Sequence, residues 1–183
     1  PWLLYCADII FDNITQFENY WVNRNENTPK NIVALCGKAR TGKDTIAKYL
    51  VNKYNFKQFA FADEIRNTCV NIFGLTNDVI AQEKDRTRPL LQSVGTKIRE
   101  IQETAWLEIV LNRISNYQKV LPDIYNKIVI SDVRLIKEVE NLRAKDYKIW
   151  KILRSNIDSS DTHITETEVD KILADLVLFN NYS

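Results

Sequence analysis

The chain has no methionine, one histidine, four glycines and four prolines in 183 residues. Its three cysteines, Cys6, Cys36 and Cys69, show no CxxC spacing, and His163 lies far from all of them, which argues against a zinc site. An odd number of thiols also argues against a paired disulfide framework and for three reduced, buried cysteines in a cytosol-like compartment. Charge of one sign is missing too. Twenty-five basic residues meet 24 acidic ones for a net +1, so duplex nucleic acid is not expected as a partner, although a local cationic pocket for a small anion remains compatible. No long uninterrupted apolar run exists. Residues 1–22 are rich in apolar and aromatic side chains, but Asp8 and Asp12 interrupt them and no basic stretch precedes them. Neither a signal peptide nor a membrane span is expected, and the cytoplasm (of a host, for a viral chain) is the expected location. With Pro1 first, the sequence does not say whether a start methionine was removed or a longer protein continues upstream.

What is present reads as one globular α/β domain. The composition is 45% hydrophobic and 27% charged, and there is no internal repeat or low-complexity tract. Ile10, Ile14, Phe17 and Trp21 share a helical face, which predicts an N-terminal apolar helix. The polar stretch 23–30, with Pro29, reads as a linker, so residues 1–30 are set apart from a domain over 31–183. Beyond the linker the pattern predicts strands at Ile32–Cys36, Phe56–Ala62, Ile128–Ser131, Lys148–Leu153 and Leu176–Phe179. Helices are predicted at Lys43–Tyr54, Asp63–Phe73, Asp78–Gln82, Leu90–Tyr117, Ile136–Lys145 and Glu166–Leu173. Strands separated by helices imply a parallel sheet covered on both faces.

The run Gly37-Lys38-Ala39-Arg40-Thr41-Gly42-Lys43-Asp44 fits GxxxxGK between an apolar strand and a helix. Glycines at 37 and 42 permit the backbone turns that aim successive N–H groups at phosphate oxygens. The helix N-terminus adds the positive end of its dipole, and Lys43 adds a full charge for the β- and γ-phosphates. This loop is the expected ATP-phosphate site. Asp44 stands where a Ser or Thr usually binds Mg²⁺, and a carboxylate is a suitable hard oxygen ligand. The bland alternative, a structural strand-to-helix turn, is disfavoured because two of only four glycines fall at the required spacing.

Other polar clusters are weaker signals. Ile128–Asp132 resembles a Walker B strand whose Asp132 organises Mg²⁺, and Arg134, two residues on, projects to the same side if the strand continues. Arg86, Arg88 and Arg99 suit a bidentate clamp on an acceptor phosphate, and Gln92 suits the edge of a base. A solvated basic turn explains the arginines equally well. Pro89 suggests a helix starting near it. Asp63 and Arg66 follow the second strand, where α/β proteins collect ligands, although Asp63 as a helix cap is the simpler reading. His163 in a polar loop reads as incidental, and Thr165 with Glu168 as a capping box.

Taken together, GKARTGKDT (37–45), FAD (61–63), RPLLQSVGT (88–96), VISDVR (129–134), the strand ending at Arg154, DTHITETE (161–168) and ADLVLFNN (174–181) resemble the viral and bacteriophage deoxynucleoside monophosphate kinases. The resemblance spans about 31–181. It implies a three-layer P-loop kinase fold with a parallel five-stranded sheet in the order 2-3-1-4-5 and helices on both faces. It further implies phosphoryl transfer from ATP, with Mg²⁺, to a deoxynucleoside monophosphate, and in many members a homodimer. Gly37, Gly42, Lys43, Asp44 and Thr45 then hold ATP, while Asp63, Arg66, Arg88, Gln92, Asp132 and Arg134 face acceptor or metal. Ala39, Arg40 and Thr41 are larger than the family's usual loop residues, and no arginine follows Arg154. Two other readings compete: a different small-molecule kinase on the same scaffold, such as a phosphomevalonate kinase, and a non-catalytic P-loop module within a larger viral protein.

Overall fold

The computed structural model describes residues 9–11, 31–120, 127–154 and 168–180. These form two compact units. One comprises the described residues up to Gln58 and from Lys127 onward, and the other comprises Phe59–Val120.

The first unit is built on a sheet of six strands, all within it but for the last residue of the third: β1 (Ile9–Phe11), β2 (Asn31–Cys36), β3 (Lys57–Phe59), β4 (Lys127–Val133), β5 (Lys148–Leu153) and β6 (Leu176–Phe179). Their order is β1-β6-β5-β2-β4-β3. Without β1 this is the expected 2-3-1-4-5 arrangement. The pairs β1–β6, β6–β5, β5–β2 and β2–β4 are all parallel. The strand β1 is an addition. Ile9–Phe11, read from the sequence as part of a helix, instead pair residue for residue with Leu176, Val177 and Leu178. A three-residue strand is too short to show a period of two, so the helical spacing of Ile10 with later residues misleads there. The rest of the expected N-terminal helix and linker lies outside the described residues.

Buried parallel strands need apolar side chains on both faces, and Ile32 through Cys36 are all buried. Val33 and Leu35 share one face with Val129, Trp150, Ile152, Leu176 and Leu178, and helix α1 (Lys43–Tyr54) packs Ala47 and Leu50 onto that cluster. Helix α1 stops where Asn55 turns left-handed (φ 59°), which lets Phe56 donate its N–H to the Leu50 carbonyl and bury its ring. Helix α6 (Ile136–Arg143; α2 to α5 are described below) buries Val139 and Leu142 and packs against β5. Expected strand and helix limits at Lys43–Tyr54, Lys148–Leu153 and Leu176–Phe179 match to the residue. The helix expected over Glu166–Leu173 is, within its described part, a single 3-10 turn at Glu168–Lys171.

The strand β4 runs on to Val133, past the predicted end at Ser131. Its register against β2 slips by one residue after Ala34↔Ile130, so that Cys36 faces Val133. A slip of this kind breaks the alternation of side chains and re-aims those within it, here Ser131 and Asp132.

The second unit is helical: α2 (Phe61–Phe73), α3 (Asn77–Gln82), α4 (Lys84–Ile101) and α5 (Ala105–Val120). Helix α2 begins at Phe61, two residues before the expected start, because Ala60 is extended and Phe61 is buried. Asp63 is therefore inside the first turn rather than a cap. The single helix expected over Leu90–Tyr117 is two helices, broken where Gln102 becomes extended. Pro89 does not open a helix either. It lies inside α4, whose first turn is anchored by the Glu83 carbonyl accepting from the N–H groups of Arg86 and Thr87. Thr87, buried, donates its hydroxyl to the same carbonyl at 2.9 Å. Trp106 of α5 donates its indole N–H to the Gly95 carbonyl at 3.0 Å, and Arg113 pairs with the buried Glu64. Among the described residues no helix is long and apolar enough to cross a membrane.

Candidate active site

The strand β2 delivers the chain into the phosphate loop at Gly37. There φ is 146°, and a Cβ would stand 2.5 Å from the Ile152 carbonyl oxygen of the neighbouring strand. Only glycine fits both limits. Arg40, at the apex, adopts a left-handed φ of 63° and projects exposed. Thr41, buried, donates its hydroxyl to the Lys38 carbonyl at 2.9 Å and closes the turn. Gly42 (φ 101°) then opens α1, whose first residue is Lys43.

The Lys43 side chain is buried and folds back over its own loop. Its ammonium donates to the carbonyls of Gly37 at 2.7 Å and Lys38 at 2.5 Å. Burial pulls its pKa down to about 8, and the nearby Arg134 cation pushes the same way. Asp44 and Asp132 oppose the shift. Lys43, Asp44, Asp132 and Arg134 thus form one electrostatic neighbourhood, although they come from three elements of the first unit. Ser131, beside Asp132, is held by the amide of Gln58 at 2.8 Å. The backbone N–H of Arg134 donates to the buried Glu138 carboxylate at 3.0 Å, which fixes the turn between β4 and α6.

Other expected residues have other neighbours. Ala39 is half-buried, and Asp44 and Thr45 are exposed in the first turn of α1. Lys38 forms an ion pair with Asp170 at 2.8 Å, so the 3-10 turn is tethered to the loop. That turn is held in place by Lys151, a buried cation donating to the Asp170 and Ile172 carbonyls at 3.0 and 3.1 Å. Cys36, just before the loop, is a free, buried thiol pushed up to about 12 by burial, and Cys69 is free and buried as well. Cys6 lies outside the described residues.

In the helical unit, Asp63 and Arg66 pair with each other at 2.7 Å on an exposed surface of α2. Arg88 and Gln92 stand one turn apart on exposed positions of α4. Arg86 is paired with Glu83 at 2.7 Å, and Arg99 donates to the Gly95 carbonyl of its own helix at 3.3 Å. His163 and Thr165 lie outside the described residues. Glu168 accepts instead from the Ile136 N–H at the start of α6, at 3.2 Å.

Sequence reasoning missed Asn180. It follows β6 directly, its own N–H donates to the Leu153 carbonyl at 2.7 Å, and its side-chain amide donates to the Thr41 carbonyl at 3.0 Å. The available signal was an apolar run followed by a polar amide, the same pattern as the apolar run before Asp132.

A family model described as deoxynucleotide monophosphate kinase matches residues 31–79 and 68–183. The chain belongs to the deoxynucleotide monophosphate kinase family. A putative deoxynucleotide monophosphate kinase of Acanthamoeba polyphaga mimivirus is 31% identical over 170 residues, covering 82% of this chain and 88% of that protein. The deoxynucleotide monophosphate kinase of Enterobacteria phage T4 is 26% identical over 190 residues, spanning 100% of this chain and 76% of its own length. That of Escherichia phage RB69 is 29% identical over 98 residues, covering 52% of this chain and 39% of its own. Family membership covers the RPLLQSVGT segment at 88–96, the stretch that speaks against a phosphomevalonate kinase.

A buried ammonium with a depressed pKa has a consequence for kinetics. In the free protein Lys43 loses its proton as pH rises through about 8, and a neutral amine offers a triphosphate no charge. For a phosphoryl donor held by this loop, kcat/KM is expected to fall above about pH 8. Lys43→Arg, whose guanidinium stays charged, is expected to lower the rate but remove that break. A pH profile from 6 to 10 in both proteins checks this. A wild-type profile flat to pH 9.5 contradicts the assignment.

Proposed function

We propose that this chain transfers a phosphoryl group from ATP to a deoxynucleoside 5′-monophosphate, yielding the diphosphate and ADP. The observation that carries the reading is the buried Lys43 ammonium within a glycine-bent loop, in a chain of this family. An oxygen of the acceptor phosphate forms the new bond to the γ-phosphorus while the bond from that phosphorus to the β–γ bridging oxygen breaks, and ADP leaves. The loop amides from Gly37 to Thr45 and the Lys43 ammonium surround the donor phosphates. On the family resemblance, acceptor binding is assigned to Arg134 in the first unit and, in the second, to Arg88, Gln92 (for a base edge), Asp63 and Arg66. Such a reaction needs positioning and charge balance more than proton transfer.

The donor set fits Mg²⁺. Asp44 and Asp132 both act on the same ammonium, and a small hard cation that retains waters needs only one or two protein carboxylates. When bound, Mg²⁺ supplies charge neutralisation on the phosphates. The family resemblance also suggests a homodimer and, for a viral chain, action in the host cytoplasm.

The test is an acceptor panel with radiolabelled ATP and Mg²⁺: the four deoxynucleoside monophosphates beside phosphomevalonate. Labelled deoxynucleoside diphosphate is expected for at least one base. Labelled phosphomevalonate product alone, or no product with any acceptor, overturns the reading.

A further inference from the structure

A loop that turns its N–H groups inward must turn its carbonyls outward, because a trans peptide points the two in opposite directions. Those carbonyls then need donors from elsewhere. In this loop the Gly37 and Lys38 carbonyls accept from the Lys43 ammonium, and Lys38 accepts also from Thr41. The ammonium contacts are exchangeable: the same group is the one a triphosphate attracts. The Thr41 carbonyl is different. It accepts from the side-chain amide of Asn180 at 3.0 Å, which arrives from the end of β6. That amide carries no charge for a phosphate to draw off.

We infer that Asn180 is a positioning residue of the phosphate loop: its amide holds the Thr41 carbonyl outward and so aims the Gly42 N–H at the donor phosphates. The inference rests on the kinase reading above. Two features make the contact a built one. The Asn180 backbone is itself fixed, since its N–H donates to the Leu153 carbonyl at 2.7 Å and extends the β5–β6 ladder by one step. Gly42 leaves room for it: a Cβ there would lie 2.7 Å from the Asn180 Nδ2. The second glycine of the loop therefore meets two demands, its own φ of 101° and the approach of this amide. When a triphosphate draws Lys43 off its two carbonyls, the Asn180 bond remains to keep the last turn before α1 in shape.

The experiment titrates Mg·ATP calorimetrically into the full chain as wild type, Asn180→Ala, Asn180→Asp and Asp175→Asn, with acceptor KM and Tm measured alongside. Asn180→Ala is expected to weaken ATP binding roughly tenfold while leaving acceptor KM within about twofold. Asn180→Asp keeps the size but sets a carboxylate oxygen against a carbonyl and adds negative charge near the phosphates, so it is expected to bind at least as poorly. Asp175, whose carboxylate accepts the Ile149 N–H at 2.7 Å, anchors the same segment without touching the loop. Its Asn variant is expected to lower Tm with ATP affinity retained. An Asn180→Ala protein that binds ATP within about twofold of wild type overturns the proposal, as does an equal loss in Asp175→Asn. Wild type that binds no Mg·ATP overturns the kinase reading and this proposal together.

Discussion

Replacing Lys43 with alanine is expected to lower kcat/KM by roughly 1000-fold, about 4 kcal/mol of transition-state stabilisation, with the fold intact. The size follows from position. The ammonium is buried and already aimed into the loop, so its charge is weakly screened. The fold survives because two effects on stability oppose each other. The variant loses two hydrogen bonds to loop carbonyls but also removes a buried cation whose desolvation depresses its pKa to about 8. Coupled measurement of ADP release gives the rate, and a thermal melt within about 4 °C of wild type gives the fold. A variant with full activity would end the phosphate-loop assignment.

Gly37→Ala is expected to be the most damaging single methyl group in the chain. The new Cβ would meet the Ile152 carbonyl oxygen at 2.5 Å, a backbone atom of a buried, paired strand that has nowhere to go. The φ of 146° is itself strained for an L-residue. We expect a loss of about 3 kcal/mol or more, a Tm lower by roughly 6–12 °C, and ATP binding abolished. Gly74→Ala is the matched control. It also has positive φ (65°), but no atom lies within 4 Å of its Cβ position, and about 1 kcal/mol is expected there. Equal losses in the two variants would show that φ alone matters and that the contact with β5 does not.

The contrast between those two glycines also marks what a sequence can reveal. The GxxxxGK spacing announces that Gly37 and Gly42 are needed, because the requirement is local. Helix α1 is legible to both ends for the same reason: a glycine opens it, Asn55 closes it, and apolar residues recur between. Strands β5 and β6 stand out as short apolar runs. The errors arise where tertiary context decides. Pro89 resembles a helix opener, yet Glu83 and the buried Thr87 start that helix a turn and a half earlier. Asp63 resembles a cap until burial of Phe61 draws the helix start back. Asp132 stands out by pattern, but its placement follows a register slip between two strands distant in sequence. The bond from Asn180 to Thr41 spans 139 positions, and no periodicity encodes such a meeting. Asp63, Arg66, Arg88 and Gln92, which we propose for the acceptor, are legible as chemistry only. Their side chains sit exposed on the helical unit, and Asp63 is engaged with Arg66.

The short strand β1 bears on how this protein can be trimmed. By pairing with Leu176–Leu178 it occupies the outer border of β6, the strand that leads directly into Asn180. A chain cut to begin at Asn31, where the match to the family model starts, would leave that border as a row of unanswered amides and carbonyls. Such a border recruits whatever strand is nearest, including its twin in another molecule. With Ile9–Phe11 in place, β6 is paired on both sides and the sheet ends instead in a border only three residues long, the shorter template for a stray strand.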